Sequence, residues 1–149
     1  MKVDEKFVPI EHFNGQLRDN LYVEGALELM VDDVMVSCVD YWDLIDQLWA
    51  YLVQGMEKLK AGEKFETYWP DQPIRLAMTP LPNGTVLIER SGTSDPDVKV
   101  VADTAELIDA LVGGASIFFD VFTPLNTAWD TADIARILRE LKEWRSHPA

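Results

Sequence analysis

Residues 64–102, KFETYWPDQPIRLAMTPLPNGTVLIERSGTSDPDVKVVA, decide the fold class. Lys64 to Trp69 has the aromatic and β-branched composition of a strand, and Pro70-Asp71-Gln72-Pro73 breaks it. Ile74 to Thr79 and Thr85 to Arg90 flank Pro80-Leu81-Pro82-Asn83-Gly84. Asn83-Gly84 suits a hairpin turn, because both residue types tolerate positive φ. Ser91 to Asp97 is loop chemistry, rich in Gly, Pro and short polar residues, and Val98 to Ala102 is a further short strand. Tight turns rather than helical crossovers join these strands. That favours antiparallel pairing and an α+β fold over a parallel α/β sheet.

Working outward, Leu21, Val23, Leu27, Leu29 and Val31 share one face of an alternating segment, with Glu24 and Glu28 on the other. Asp32-Asp33 then reads as a two-residue turn, and Val34 to Val39 as the returning arm of a hairpin. Phe7 to Phe13 reads as an earlier strand. A long helix begins at Asp40, whose side chain suits an N-cap, with Asp43 and Asp46 favourable near the positive end of the dipole. Leu44, Ile45, Leu48, Trp49, Leu52, Val53, Met56 and Leu59 form its apolar stripe, and Gly62 stands where a left-handed cap closes it. After the meander, Asp103-Thr104-Ala105-Glu106 resembles a capping box. The helix it opens carries Leu107, Ile108, Leu111, Val112, Ala115, Phe118, Phe119 and Phe122 inward. Gly113-Gly114 either breaks that helix or lets bare backbone pack close against the sheet, and Pro124 ends it. A last helix spans about Thr131 to Trp144. The expectation is one domain over residues 1–149, with an antiparallel sheet of about five to seven strands packed by three helices. Its order is β-hairpin, α, β-meander, α, α.

Twenty-six carboxylates face thirteen basic side chains, a formal net charge of -13, while 48% of the chain is hydrophobic. That much apolar material builds a core, so the charge belongs to the surface of a folded domain rather than to a disordered tail. Such a surface repels nucleic acid and anionic lipid, and draws cationic partners through a long-range field. The balance is -15 through Ala135 and +2 from Arg136 onward, where Arg136, Arg139, Lys142 and Arg145 suit a helix C-terminus. Cys38 has no second cysteine to pair with. The opening residues lack the apolar run of a signal peptide, and no stretch of about 18 apolar residues occurs. A cytoplasmic protein without a membrane span is therefore expected.

No motif for catalysis, a metal or a cofactor stands out. His12 and His147 lie far from any zinc spacing. Cys38 reads as a small hydrophobe two residues before a helix, and Ser116 lacks the strand-to-helix turn of a nucleophile elbow. Asp40, Asp43 and Asp46 on three-residue steps, and the Asp32-Asp33 pair, read as caps and a solvated turn rather than as a calcium loop. Aromatic residues concentrate instead. Trp42 and Tyr51 fall off the helix stripe, and Tyr68 and Trp69 point to opposite faces of an extended segment, so some of these rings are candidates for an exposed anchor.

Asp46-Gln47-Leu48-Trp49, followed by Tyr68-Trp69-Pro70-Asp71-Gln72-Pro73-Ile74, resembles small bacterial proteins of unknown function. The likeness spans about a fifth of the chain. Some small acidic α+β proteins of this general look are immunity proteins, which neutralise a toxin made by sister cells. Beside that resemblance, charge and aromatics make a non-enzymatic protein that docks a basic protein partner the leading expectation. Its binding residues are Glu24 and Glu28 on the polar strand face, Asp32 and Asp33 at the hairpin tip, and Asp71 beside Trp69. The alternative is a small-molecule sensor or modest hydrolase with a pocket under the Trp69-Pro70 loop, where Tyr68, Asp71 and Arg75 supply polar groups. A third is an accessory subunit whose acidity only keeps it dissolved. No cofactor is implied, and oligomeric state leaves no mark in the residues.

Overall fold

A computed structural model of the chain describes residues 1–3, 6–13, 23–125 and 130–146. The fold is α+β, with antiparallel sheets and three helices among those residues. Short strands β1 (Lys2–Val3) and β2 (Lys6–Phe7) pair with each other, and β3 (Glu24–Gly25) follows. A hairpin of β4 (Leu29–Val31) and β5 (Val34–Ser37) turns through Asp32 and Asp33, both at positive φ, 47° and 65°. Two consecutive left-handed residues give the primed turn that matches strand twist. Strand β6 (Asp43–Leu44) leads into α1 (Ile45–Lys60). The meander is β7 (Phe65–Tyr68), β8 (Arg75–Leu81), β9 (Thr85–Ser91) and β10 (Val98–Asp103), and α2 (Thr104–Leu125) and α3 (Ala132–Ser146) complete the chain.

The expected sheet of five to seven strands is smaller. Four strands pair in the order β10-β9-β8-β7, all antiparallel, and the other described strands form two-stranded pieces. One reason is Arg90, whose side chain on β9 is 3% exposed. Its guanidinium donates to the carbonyls of Val36 (3.0 Å) and Met35 (3.4 Å), so two acceptors of β5 are taken by a side chain. The hairpin therefore rests against β10 without extending its ladder. Arg90 also donates to Thr93 Oγ1 and Pro96 O and lies 4.9 Å from the Tyr41 ring centroid. This buried cation is held by neutral acceptors and a π face, which offsets the cost of desolvating it.

Two further expectations are corrected. The segment expected as one strand over Leu21 to Val31 forms β3 and β4, separated at Ala26–Glu28, while residues 21 and 22 lie outside the described set. The first helix starts at Ile45 rather than Asp40. Val39–Tyr41 forms a 3-10 turn, and Asp43–Leu44 is drawn into a ladder with β3 through the pairs Glu24↔Leu44 and Gly25↔Asp43. The Ile45 amide donates to Val23 O at 2.9 Å, so strand pairing holds the chain extended until that point. Phe7 to Phe13 is likewise not one strand, since Ile10–His12 is a 3-10 turn.

The apolar stripe of α1 is buried as its periodicity predicts, against β7 and β8 on one side and α2 and α3 on the other. Gly62 at φ 79° closes α1, with Glu63 N–H donating to Lys58 O and Gly62 N–H to Leu59 O. Asp103 Oδ1 caps α2 by accepting from Glu106 N–H at 2.9 Å. Helix α2 runs unbroken through Gly113-Gly114, and it ends at Leu125, one residue after Pro124. A Cβ on Gly114 would lie 2.8 Å from the Trp49 ring, so the bare backbone admits an α1 side chain instead of the sheet. No helix among the described residues is long and apolar enough to cross a membrane.

Candidate functional site

The segment between β5 and α1 and the loop between β7 and β8 are tied together by backbone-directed bonds. Asp43 is buried, and its carboxylate accepts from the Leu44 amide at 2.6 Å and from the Asp71 amide at 3.1 and 3.0 Å. Trp69 Nε1 donates to Tyr41 O at 2.8 Å, and Gln72 Nε2 donates to Trp42 O. The Tyr41 hydroxyl donates to Asp95, extending the web to the β9–β10 loop. Burial first, then that bond, pushes the Tyr41 phenol above its ordinary value, so it stays a neutral donor.

These ties shape a groove of about 430 Å³ lined by Glu24, Asp40, Trp42, Asp43, Leu44, Asp71 and Gln72. Trp42 presents a ring that is 39% exposed. Lys2 Nζ lies 4.0 Å from that ring's centroid and 3.4 Å from Glu24 Oε2. Among the described residues, no cation pairs with the carboxylates of Asp40 or Asp71. Such an arrangement is suited to receiving positive charge over an aromatic face.

Of the residues expected from sequence to bind, Glu24 and Asp71 meet in this groove. Asp32 and Asp33 stand apart at the hairpin tip, and Glu28 lies on the rim of a different, apolar recess. Tyr68 is exposed opposite Arg75 across the β7–β8 pair, and Arg75 is engaged by Glu66 at 2.9 Å. Trp69 is no surface anchor, being 2% exposed, with its indole N–H donating to Tyr41 O. The groove lined by Asp71 and Gln72 is the opening next to the Trp69-Pro70 loop. The sequence reads Asp40 as a helix cap and gives no part in binding to Gln72 or Lys2. Trp42 carried a signal, its departure from the helix stripe. Lys2 carried none, since its neighbours come from distant segments.

The recess that Glu28 borders has a volume of about 510 Å³ and is walled by side chains including Phe7, Ile10, Leu27, Trp49, Ile117 and Phe118. Asp46, in the first turn of α1, is buried with its carboxylate on the Gln47 amide, and burial raises its pKa. Among the described residues, no group of three or more His, Cys, Asp or Glu side chains is placed to hold a metal ion.

Fold and groove together define an acidic α+β chain with an exposed indole among carboxylates. No protein-family model, curated protein or solved structure matches it.

Proposed function

We propose that this chain is a non-enzymatic binding protein that docks a cationic protein, with neutralisation of a basic toxin as the sharpest form. The observation that carries this reading is the convergence of Glu24, Asp40 and Asp71 around the exposed ring of Trp42. Exposed Trp is a favoured interface anchor, and carboxylates around it supply orientation and on-rate toward a basic surface. The formal charge of -13 extends the same field over the whole molecule. Toxins that act on nucleic acid tend to be basic, which makes an acidic blocker complementary to them. Affinity capture from the native host at low ionic strength tests the proposal. A basic protein that elutes with salt and is lost with Trp42→Ala supports it, and recovery of no protein partner overturns it.

A second reading keeps a small-molecule site but moves it to the apolar recess bordered by Glu28. Its volume of about 510 Å³ falls within the range of ligand pockets. Thermal-shift titration with medium-chain aliphatic amines and acids separates the two readings. Stabilisation abolished by Ile117→Glu favours the recess, and no shift with either series removes it.

A further inference from the structure

We infer that the apolar recess of about 510 Å³ walled by α1, α2 and the Leu27–Leu29 stretch takes a medium-chain molecule with a carbonyl acceptor in its chain and a cationic head, the chemistry of an N-acyl diamine. The inference rests on the reading of the recess as a small-molecule site. Each part of such a ligand answers a feature of the wall. The floor is apolar, since Ile45, Trp49, Leu111 and Phe118 are all buried, and the Trp49 and Phe118 rings stack with centroids 6.4 Å apart. Phe7, Val39 and Ile117, by contrast, remain exposed in the same wall. A chain seated there covers apolar surface that the fold leaves to water.

The Trp49 indole N–H calls for the acceptor. Trp49 is 7% exposed, and its N–H has no hydrogen-bond partner among the described residues, yet the nitrogen is not sealed from solvent. The comparably buried Trp69 spends its N–H on Tyr41 O at 2.8 Å. A donor left unpaired in an apolar wall is costly, and the recess is the opening that the Trp49 ring lines, so an oxygen carried in by a ligand relieves it. Charge decides the head. Glu11 and Glu28 are the carboxylates of the wall, and both residues are exposed. The Met1 ammonium, also at the wall, donates to Val8 O at 3.0 Å and is drawn toward Glu11. Glu28 has no cationic partner among the described residues. Two carboxylates against one ammonium, within a formal charge of -13, attract a cation and repel a carboxylate. Fatty acids are thereby disfavoured, although the apolar floor alone would accept them.

The test is titration of the full chain with three ligands of matched length, N-hexanoyl-1,3-diaminopropane, N-hexanoyl-β-alanine and decylamine, read by the NMR shifts of the Trp49 indole N–H and the Ile117 methyl groups. The acyl diamine is expected to bind about tenfold more tightly than the β-alanine derivative, which carries the opposite head charge. Glu11→Gln/Glu28→Gln is expected to shrink that gap about threefold or more, whereas Asp32→Asn/Asp33→Asn, which removes equal charge at the hairpin tip, changes it by less than about twofold. Trp49→Phe is expected to weaken the acyl diamine about three- to tenfold and decylamine by less than about twofold, because decylamine offers the N–H no acceptor. Should Trp49→Phe fail to fold, the unaltered chain still decides, since the indole proton moves downfield with the acyl diamine and not with decylamine. Tighter binding of the β-alanine derivative, or an indole proton that responds alike to the acyl diamine and decylamine, overturns the ligand class. If all three bind alike and Ile117→Glu abolishes binding, only the class falls and the recess stays a small-molecule site. If none binds, the reading of the recess falls with it.

Discussion

At the scale of single residues, two buried aspartates set the local chemistry by different means. Asp43 converts a carboxylate into a clamp on the amides of Leu44 and Asp71, so Asp43→Ala leaves two backbone donors without their acceptor. The expected cost is about 1–3 kcal/mol of unfolding free energy, measured by chemical denaturation, together with faster hydrogen exchange at the Asp71 amide. Asp46 is desolvated, and its raised pKa means that protonation favours the folded state. Its contribution is complete below about pH 3.9, the ordinary value for the unfolded chain, and is lost as pH rises through the higher folded value. Asp46→Asn therefore raises the denaturation midpoint at pH 7, with the gain vanishing near pH 3. A loss at pH 7, or a pH-independent difference, would contradict this. Neither role was legible in the sequence, where both residues read as favourable charges near a helix start. Burial comes from distant segments, and it is burial that changes what a carboxylate does.

Elements were more legible where their signal is local. The stripe of α1, the cap at Gly62, the Asp103 cap and the Asp32-Asp33 and Asn83-Gly84 turns follow from residues a few positions apart, and they form as expected. The boundary between β6 and α1 was not legible, because the β3 ladder competes with helix for Asp43 and Leu44. The glycine pair in α2 offers a direct experiment on local preference against packing. A Cβ on Gly113 meets nothing within 4 Å, whereas one on Gly114 comes within 2.8 Å of the Trp49 ring. Gly113→Ala is expected to stabilise the protein by about 1 kcal/mol through helix propensity. Gly114→Ala is expected to destabilise it by about 1–3 kcal/mol through overpacking. Equal effects in thermal denaturation would mean that α2 does not lie against Trp49.

For the whole molecule, the governing feature is an unbalanced charge of -13 around an apolar interior. Self-repulsion opposes the compact state and is screened by salt, so the melting temperature is expected to rise by a few degrees between about 10 and 150 mM sodium chloride. Affinity for the proposed basic partner is expected to move the other way over the same range, mainly through a slower on-rate. Stopped-flow association and a salt series of melting curves check both. A melting temperature indifferent to salt would mean that the carboxylates are too far apart to repel.

The amino-acid sequence alone determined the α+β class, the antiparallel meander, the faces of three helices and the sign of the surface. Each depends on periodicity, turn chemistry or composition, which act over a few neighbours or over the sum of all residues. Tertiary structure alone decided that the main sheet stops at four strands, that Trp69 turns inward while Trp42 stays outside, and that Lys2 reaches an indole forty residues away. Those outcomes turn on which distant groups claim a hydrogen-bond acceptor or an aromatic face first. That competition is resolved only when the packed chain brings the claimants together.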